Sequence, residues 1–450
     1  MVQQTLEDTL QAADGPVDML RNQNRGSVRY PNVPSQHTNW IEEQRAWRET
    51  CSLADQSHHM VDLWVKGPDA LQVFSDLGVN RFDDFAIGQA KQLVVCNPDG
   101  YVIGDGILFR LADDSFHLVG VAPAPNWVQY NIETGDYNAT IERDDDSVLR
   151  DGPPKNFRFQ IQGPNALMVM QSVTDGPFPE IPFFNFKQLS INGRDVYALG
   201  HGMSGEAGFE FWGPFEYSDE IRNVVLEAGE DYGIRQLGWK SYASGVASMG
   251  WIANPVPAVY GEEMQEYQQW LDADSYEAKF AVGGSLTSDE VHDYYLKPFE
   301  MGYGRFVSFD HDFVGKAALE EAVDKPTRTK VTLVWNGDDV TDIFESLLQK
   351  GDTYKYIDLP IFLWASHFDT VFKNGDPIGV SKYPTYDYNE RTMLSLGVVD
   401  EKHSKPGTEL TFVWGEEGES MNPAVEPHAQ TDIRATVAPV PYVTDRRKNS

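Results

Sequence analysis

The sequence is poor in cysteine, in positive charge and in long apolar runs, and each shortage excludes something. Only two cysteines, Cys51 and Cys96, occur in 450 residues. Neither belongs to a CxxC pair, which excludes a disulfide framework and a cysteine-ligated zinc site and fits a reducing compartment. Lys and Arg number 36 against 69 Asp and Glu, a net charge of −33. A surface this acidic repels nucleic acid and anionic membrane. It fits either a salt-adapted interior or an ordinary acidic enzyme. No run of 18 apolar residues occurs, so no spanning helix is expected. The opening stretch MVQQTLEDTLQAADG has early acids and no apolar core, unlike a secretory signal, so a cytoplasmic location is expected. A P-loop, a GxSxG elbow and an HExxH helix are all missing. The glycines of GMSGEAG (202–208) have the wrong spacing for GxGxxG and precede a strand-like run instead of following one, which argues against a dinucleotide fold.

What is present is enough to build two or three domains: 41% apolar residues, of which aromatics are frequent, interleaved with charge. Asn39 followed by Glu42 resembles a capping box ahead of Trp40, Gln44 and Trp47. Ser218 can cap a helix carrying Ile221, Val224, Val225 and Ala228 on one face, with Gly233 as its stop. Lys316 to Val323 reads as a short helix closed by Pro326. VDLWVKGPDALQVF (61–74) and FRFQIQGPNALMVM (157–170) share one grammar: strand, Gly-Pro, a polar residue, then Ala-Leu and a helical run. Glycine turns the chain at such a corner and proline pre-sets the first helical turn. Two similar strand–helix modules are therefore expected, joined by the charged, Gly/Pro-rich linker DDDSVLRDGPPKN (144–156). Beyond residues 324–329, KVTLVWNG, LSLGVVD, GTELTFVWGE and DIRATVAPVPY read as strands of a small barrel or sandwich. The segment 251–303 is rich in Tyr, Trp and Gly with weak periodicity, as expected of long loops lining a ligand site or simply packing.

Two adjacent histidines stand in DQSHHMVDLWVKG (55–67). On a strand, His58 and His59 point to opposite faces, so one metal cannot readily use both, and no metal site is expected. One imidazole facing a pocket while the other packs or caps is the geometric expectation. Other polar groups in apolar or aromatic surroundings are Tyr30, Asp105, Glu210, Tyr242 and Trp251. Glu210, between Phe209 and Phe211, is either the solvent-facing carboxylate of an edge strand or a buried one that accepts two N–H groups of a flat heterocycle.

Several of these segments occur in a familiar order: DQSHHM (55–60), NPDGYVIGDGILFRL (97–111), QGPNAL (162–167), GMSGEAGFEFWGP (202–214) and MGYGRFVSFDHDFVGKAAL (301–319). Over nearly its whole length the chain resembles the aminomethyltransferase (glycine-cleavage T-protein) family. Within that family it is similar to the tetrahydrofolate-dependent aryl O-demethylases of the vanillate and 3-O-methylgallate type, with MLRNQ (19–23), SHHMVDL (57–63) and LVWNGDD (333–339) as further signatures. The resemblance implies an α+β fold: a folate-binding cloverleaf of two similar modules over residues 1–325 and a C-terminal β-barrel domain over 326–450. It implies transfer of a methyl group from a methoxylated, lignin-derived aromatic such as vanillate, syringate or a methylgallate to tetrahydrofolate. The products are a phenol and 5-methyltetrahydrofolate. It implies catalytic roles for Tyr242 and His59, a substrate pocket with Tyr30, His58 and Val121, and folate contacts from Glu210, Trp251 and Gln162. Its partners are a small methoxyarene and tetrahydrofolate, without metal, nucleic acid or membrane; oligomeric state stays open.

Two departures matter. The demethylases carry an arginine for the aromatic carboxylate where VGVAPAPNW (119–127) has Val121, and the loss removes a bidentate clamp. Either another group takes over or the substrate is not a benzoate. T-proteins proper carry paired acids where this chain has Gly104-Asp105, which argues against aminomethyl chemistry. A demethylase of a non-aryl donor such as dimethylsulfoniopropionate, an aminomethyltransferase, and a folate-binding protein without activity remain the competing readings. In the aryl-ether reading the leaving group needs a proton, and a tyrosine hydroxyl of pKa ~10 matches a phenol closely.

Overall fold

A computed structural model describes residues 4–22, 30–325, 327–361, 365–418 and 420–447. Residues 1–3 of the opening stretch, Gln23 of MLRNQ and Pro326 lie outside the described residues, so the expected boundary at 325/326 falls beside one of them. The barrel's first strand begins just beyond, at Arg328.

Both Gly-Pro corners form as their shared grammar dictates. Strand Val61–Lys66 turns at Gly67 (φ 147°) into helix Ala70–Leu77. Strand Asn156–Gln162 turns at Gly163 (φ 122°) into helix Ala166–Val173. These glycines are required twice over. Each φ disfavours an L side chain, and a Cβ on Gly67 or Gly163 would stand 2.4 Å from Asn138 O or 2.7 Å from Thr50 O.

Each corner strand lies inside its own sheet. Val61–Lys66 pairs antiparallel with Ser115–Gly120 and Thr140–Asp144 in a five-stranded sheet. Asn156–Gln162 pairs antiparallel with Cys51–Asp55 and Gly208–Pro214 in a six-stranded one. Cys51–Asp55 and Val61–Lys66 therefore belong to different sheets, and the chain crosses between them at 56–60. It crosses back between Thr140–Asp144 and Asn156–Gln162. The crossings lie side by side, tied by Ser147 N–H to His58 O at 2.9 Å. His58 Nδ1 also stands 2.9 Å from Ser147 Oγ. One expectation is corrected here: His58 and His59 sit in a crossing turn, not on a strand. The 144–156 segment joins the two modules as expected, as the second crossing between the sheets.

The helix signals hold with small shifts. Asn39 caps Trp40–Glu49 by accepting from Glu42 N–H at 3.0 Å. Ser218 is the first residue of helix Ser218–Gly229, not its cap, and Gly233 ends the following turn with φ 73°. The helix Lys316–Val323 has the expected bounds. The C-terminal strands close a six-stranded barrel in the order Arg328–Trp335, Thr392–Asp400, Asp376–Asp387, Asp369–Lys373, Glu409–Trp414 and Thr431–Ala438. The interior is filled by Leu333, Trp335, Phe412 and Trp414, delivered by period-two alternation. The segment 251–303 packs Val256, Tyr260, Tyr267 and Tyr294 onto the core of the five-stranded sheet. No helix among the described residues is long and apolar enough to cross a membrane.

Candidate active site

A cavity of about 1010 Å³ opens where the two sheets, the 251–303 segment and the barrel meet. Both crossings reach it, with Gln56 and His59 from the first and Asp146, Val148 and Leu149 from the second. Three polar clusters line it.

The first is aromatic. Helix Trp239–Met249 is rich in small residues, with Ala243, Ser244 and Gly245 buried, so it packs closely and brings Tyr242 to the cavity. The rings of Tyr30 and His59 are 4.8 Å apart, those of His59 and Tyr242 5.3 Å, and those of Tyr30 and Tyr242 5.9 Å. Trp239 stacks on Tyr30 at 5.9 Å. Gln56 Nε2 donates to the Tyr242 hydroxyl at 3.0 Å, and that hydroxyl points at Met203 Sδ, 3.6 Å away. Burial, with the neighbouring Tyr30 and Glu210 adding to it, pushes the Tyr242 phenol well above its ordinary pKa. Burial also lowers the His59 pKa to about 3, so the ring is neutral. Its Nδ1 is buried with no hydrogen-bond partner among the described residues.

The second cluster is ionic. Strand residues Arg158, Gln160 and Gln162 alternate onto one buried face, and Glu210 stands directly opposite Gln160 in the register. Arg158 Nη1 donates to Glu210 Oε1 at 2.6 Å and Arg158 Nη2 to Asp62 Oδ1 at 3.2 Å. The Arg158 guanidinium also covers the Trp212 ring, 4.9 Å from its centroid. Burial raises the Glu210 pKa while Arg158 opposes it. Burial acts the same way on Asp62, but Arg158 and His117 outweigh it and hold that carboxyl low. Glu210 Oε2 accepts no hydrogen bond among the described residues; His201 Nδ1 is its nearest partner, 3.8 Å away.

The third cluster surrounds Asp105. Its Oδ2 accepts from Gln92 Nε2 and the Tyr303 hydroxyl, each at 2.6 Å, and from Trp251 Nε1 at 3.3 Å. Burial raises its pKa despite these donors.

Of the residues singled out in the sequence, Tyr30, His59, Val121, Glu210, Tyr242 and Trp251 line the cavity together. His58 and Gln162 do not. The His58 ring turns away to Ser147 and to Phe215, 6.0 Å off. Gln162 Oε1 accepts from Met203 N–H at 2.9 Å and Ser204 N–H at 3.2 Å, which fixes the glycine-rich 202–208 loop against the sheet. Glu210 is buried in a central strand, which excludes the solvent-facing alternative. Sequence reasoning missed Gln56, Met203, Arg158, Tyr276 and Tyr383. Arg158 had a signal, since a charge alternating with phenylalanines in FRFQIQ demands a buried partner.

Comparisons with known proteins agree with this architecture. The family description "GCVT N-terminal domain" matches residues 12–274. The chain is 42% identical to syringate O-demethylase of Sphingobium sp. (strain NBRC 103272 / SYK-6) over 442 residues, 97% of this chain and 96% of that one. It is 28% identical to sesamin methylene transferase of Sinomonas sp. (strain No.22), over 93% and 92% of the two chains. The crystal structure of the glycine cleavage system aminomethyltransferase T from Bartonella henselae superposes with a TM-score of 0.63 at 18% identity, covering 92% of this chain and 91% of that one.

Proposed function

Because the chain belongs to the GCVT aminomethyltransferase family, we propose that it is a tetrahydrofolate-dependent O-demethylase acting on a methoxylated aromatic. One observation carries the reading. The Tyr242 hydroxyl and the Glu210 carboxylate front a single cavity, close enough for Glu210 to raise the tyrosine's pKa.

The residues present fit a reduced pterin. Glu210 lines the cavity, its Oε2 has no donor within hydrogen-bond distance among the described residues, and a flat heterocycle bearing adjacent N–H groups would supply one. Glu210 and, at the other wall, Trp251 are the residues that would hold it. When bound, tetrahydrofolate supplies an amine nitrogen that takes the methyl group and releases a proton, so that methoxyarene and tetrahydrofolate become phenol and 5-methyltetrahydrofolate.

The protein's part is alignment, exclusion of water and one proton. Tyr30 and His59 form an aromatic wall for the methoxyarene, and the neutral His59 ring orients a ring hydroxyl without introducing charge. Tyr242 gives its proton to the ether oxygen as the carbon–oxygen bond breaks. Its raised pKa keeps it protonated but makes it a weaker acid than the departing phenol, so the close match expected from an unperturbed tyrosine is not kept and the transfer leans on stabilisation of the tyrosinate. Gln56 N–H steadies the tyrosinate left behind. Positioning of this kind contributes roughly 7–11 kcal/mol in favourable cases.

The test is label transfer. Incubation with tetrahydrofolate and a ¹³C-methoxyphenol yields ¹³C-labelled 5-methyltetrahydrofolate and unlabelled catechol in equal amounts. Label appearing in methanol or formaldehyde, or no transfer from any methoxyarene, overturns the reading.

A further inference from the structure

We propose that Arg305 and Lys330 form an anion subsite on the Trp251 side of the cavity, and that it takes the carboxylates of the glutamate tail of tetrahydrofolate. The inference rests on the tetrahydrofolate-dependent reading and names the residues that read the far end of that molecule.

Most of the lysines and arginines that line the cavity are already paired. Arg81 stands 3.3 Å from Asp83, Lys91 2.7 Å from Asp84, Lys279 3.3 Å from Asp274 and Arg447 2.8 Å from Asp445. Arg305 and Lys330 line it too, and neither has a carboxylate within ion-pair distance among the described residues. The chain holds 69 acids for 36 bases. Two neighbouring bases left without an acid in such a chain make a positive spot that an incoming anion balances.

The fold holds the two cations in place without neutralising them. Lys330 lies near the start of barrel strand Arg328–Trp335. Its ammonium donates to Gly250 O at 2.5 Å and to Met301 O at 2.6 Å. Both acceptors are uncharged, and an ammonium has a third N–H to give. A Cβ on Gly302 would stand 3.0 Å from Lys330 Nζ, so the glycine keeps that side of the amine open. Arg305 is exposed, its guanidinium 4.8 Å from the centre of the Phe306 ring. Burial, with the Arg305 charge adding to it, lowers the Lys330 pKa to about 8, so the two cations are close enough to repel. Asp105 opposes that shift from further off, but its Oδ2 is engaged by Gln92, Tyr303 and Trp251.

Position decides which carboxylate fits. Tyr242 lies in the first turn of helix Trp239–Met249 and Gly250 caps its other end, about 12 Å further along the axis. Lys330, bound to Gly250 O, therefore stands at the end of the helix away from the reacting ether and beside the wall that Trp251 offers the pterin. A carboxylate on the same ring as the ether stays within a ring's width of it. The glutamate of tetrahydrofolate is separated from the accepting nitrogen by a p-aminobenzoyl spacer. Its two carboxylates match the pair of cations, with arginine giving a planar, two-pronged contact and lysine a point charge.

The test is isothermal titration of the full-length protein with tetrahydrofolate and with tetrahydropteroate, which keeps the pterin and the spacer and lacks the glutamate. Tetrahydrofolate is expected to bind roughly tenfold more tightly or better at low salt, and the margin is expected to shrink at high salt. Arg305→Gln, at an exposed position, is expected to remove most of that margin while the tetrahydropteroate dissociation constant stays within about twofold. Lys330→Gln is expected to act in the same direction, and Arg305→Gln alone decides the matter should that variant fold poorly. Equal affinities for the two ligands, or a margin that survives Arg305→Gln, overturns the subsite while leaving the O-demethylase reading intact. An Arg305→Gln protein that binds vanillate more weakly but tetrahydrofolate as before also overturns it, by giving the cations to the arene. Binding of neither pterin overturns both.

Discussion

Gln56 Nε2 donates a 3.0 Å hydrogen bond to the hydroxyl oxygen of Tyr242, 186 residues away. Because the amide takes a lone pair of that oxygen, the hydroxyl's own proton is directed elsewhere, toward Met203 and the cavity. The same N–H strengthens when the oxygen becomes negative. A hydrogen bond to a charged group contributes about 1.5–3 kcal/mol. Gln56→Leu is therefore expected to lower the single-turnover rate roughly 10- to 100-fold with little change in substrate KM. An unchanged rate would remove Gln56 from the proposed chemistry.

Arg158 balances two buried carboxylates at once, Glu210 and Asp62. Arg158→Met leaves Glu210 uncompensated and Asp62 with His117 alone, a loss of roughly 3–5 kcal/mol. Glu210→Gln leaves Arg158 its second partner, Asp62, and is expected to cost less stability while weakening tetrahydrofolate binding. Thermal unfolding of the two variants gives the order, and isothermal titration gives the binding. Equal melting temperatures would contradict the ionic cluster as described.

Burial lowers the pKa values of His59 and His201 from 6.5 to about 3. In the unfolded chain both take up protons near 6.5, while the folded protein resists until about pH 3. Their contribution to stability is intact above pH 6.5 and is lost as pH falls from 6.5 toward 3. Each contributes a slope of about 1.4 kcal/mol per pH unit in that window. His59→Gln is expected to flatten the acid limb of a urea-denaturation series by one proton. An identical limb would mean that His59 is hydrated.

The second Gly-Pro corner gives a test of the fold. Gly163 has φ 122° and backbone atoms of Thr50 and Cys51 within 2.8 Å of a would-be Cβ, whereas Gly152 has φ 89° and nothing within 4 Å. Gly163→Ala is expected to destabilise by more than about 2 kcal/mol and Gly152→Ala by about 1. Equal losses in denaturant unfolding would show that the close approach is absent.

What was legible in the sequence was local. The Gly-Pro corners, the helix Lys316–Val323 and four of the six barrel strands follow from neighbouring residues alone, whereas Asp369–Lys373 and Asp376–Asp387 were not foreseen. The crossings were not legible. Whether Cys51–Asp55 pairs with the strand after it or with Asn156–Gln162 is decided by partners about a hundred residues away. That decision also fixes which histidine faces the cavity, so the pair could be flagged while His58's attachment to Ser147 could not be foreseen. Glu210 and Tyr242 were marked by their apolar and aromatic neighbours, and their roles came from motif resemblance. Tyr276 and Tyr383 carry no motif: one lies in an irregular segment, the other on a bulge that strand periodicity cannot anticipate.

The account stands or falls on Tyr242 as the proton donor. Tyr242→Phe removes one oxygen from the cavity and keeps the ring. With guaiacol and tetrahydrofolate in a single-turnover experiment, methyl transfer is expected to slow roughly 10²- to 10⁴-fold while tetrahydrofolate affinity stays within twofold. A Tyr242→Phe protein that transfers the methyl group at the wild-type rate would contradict the account.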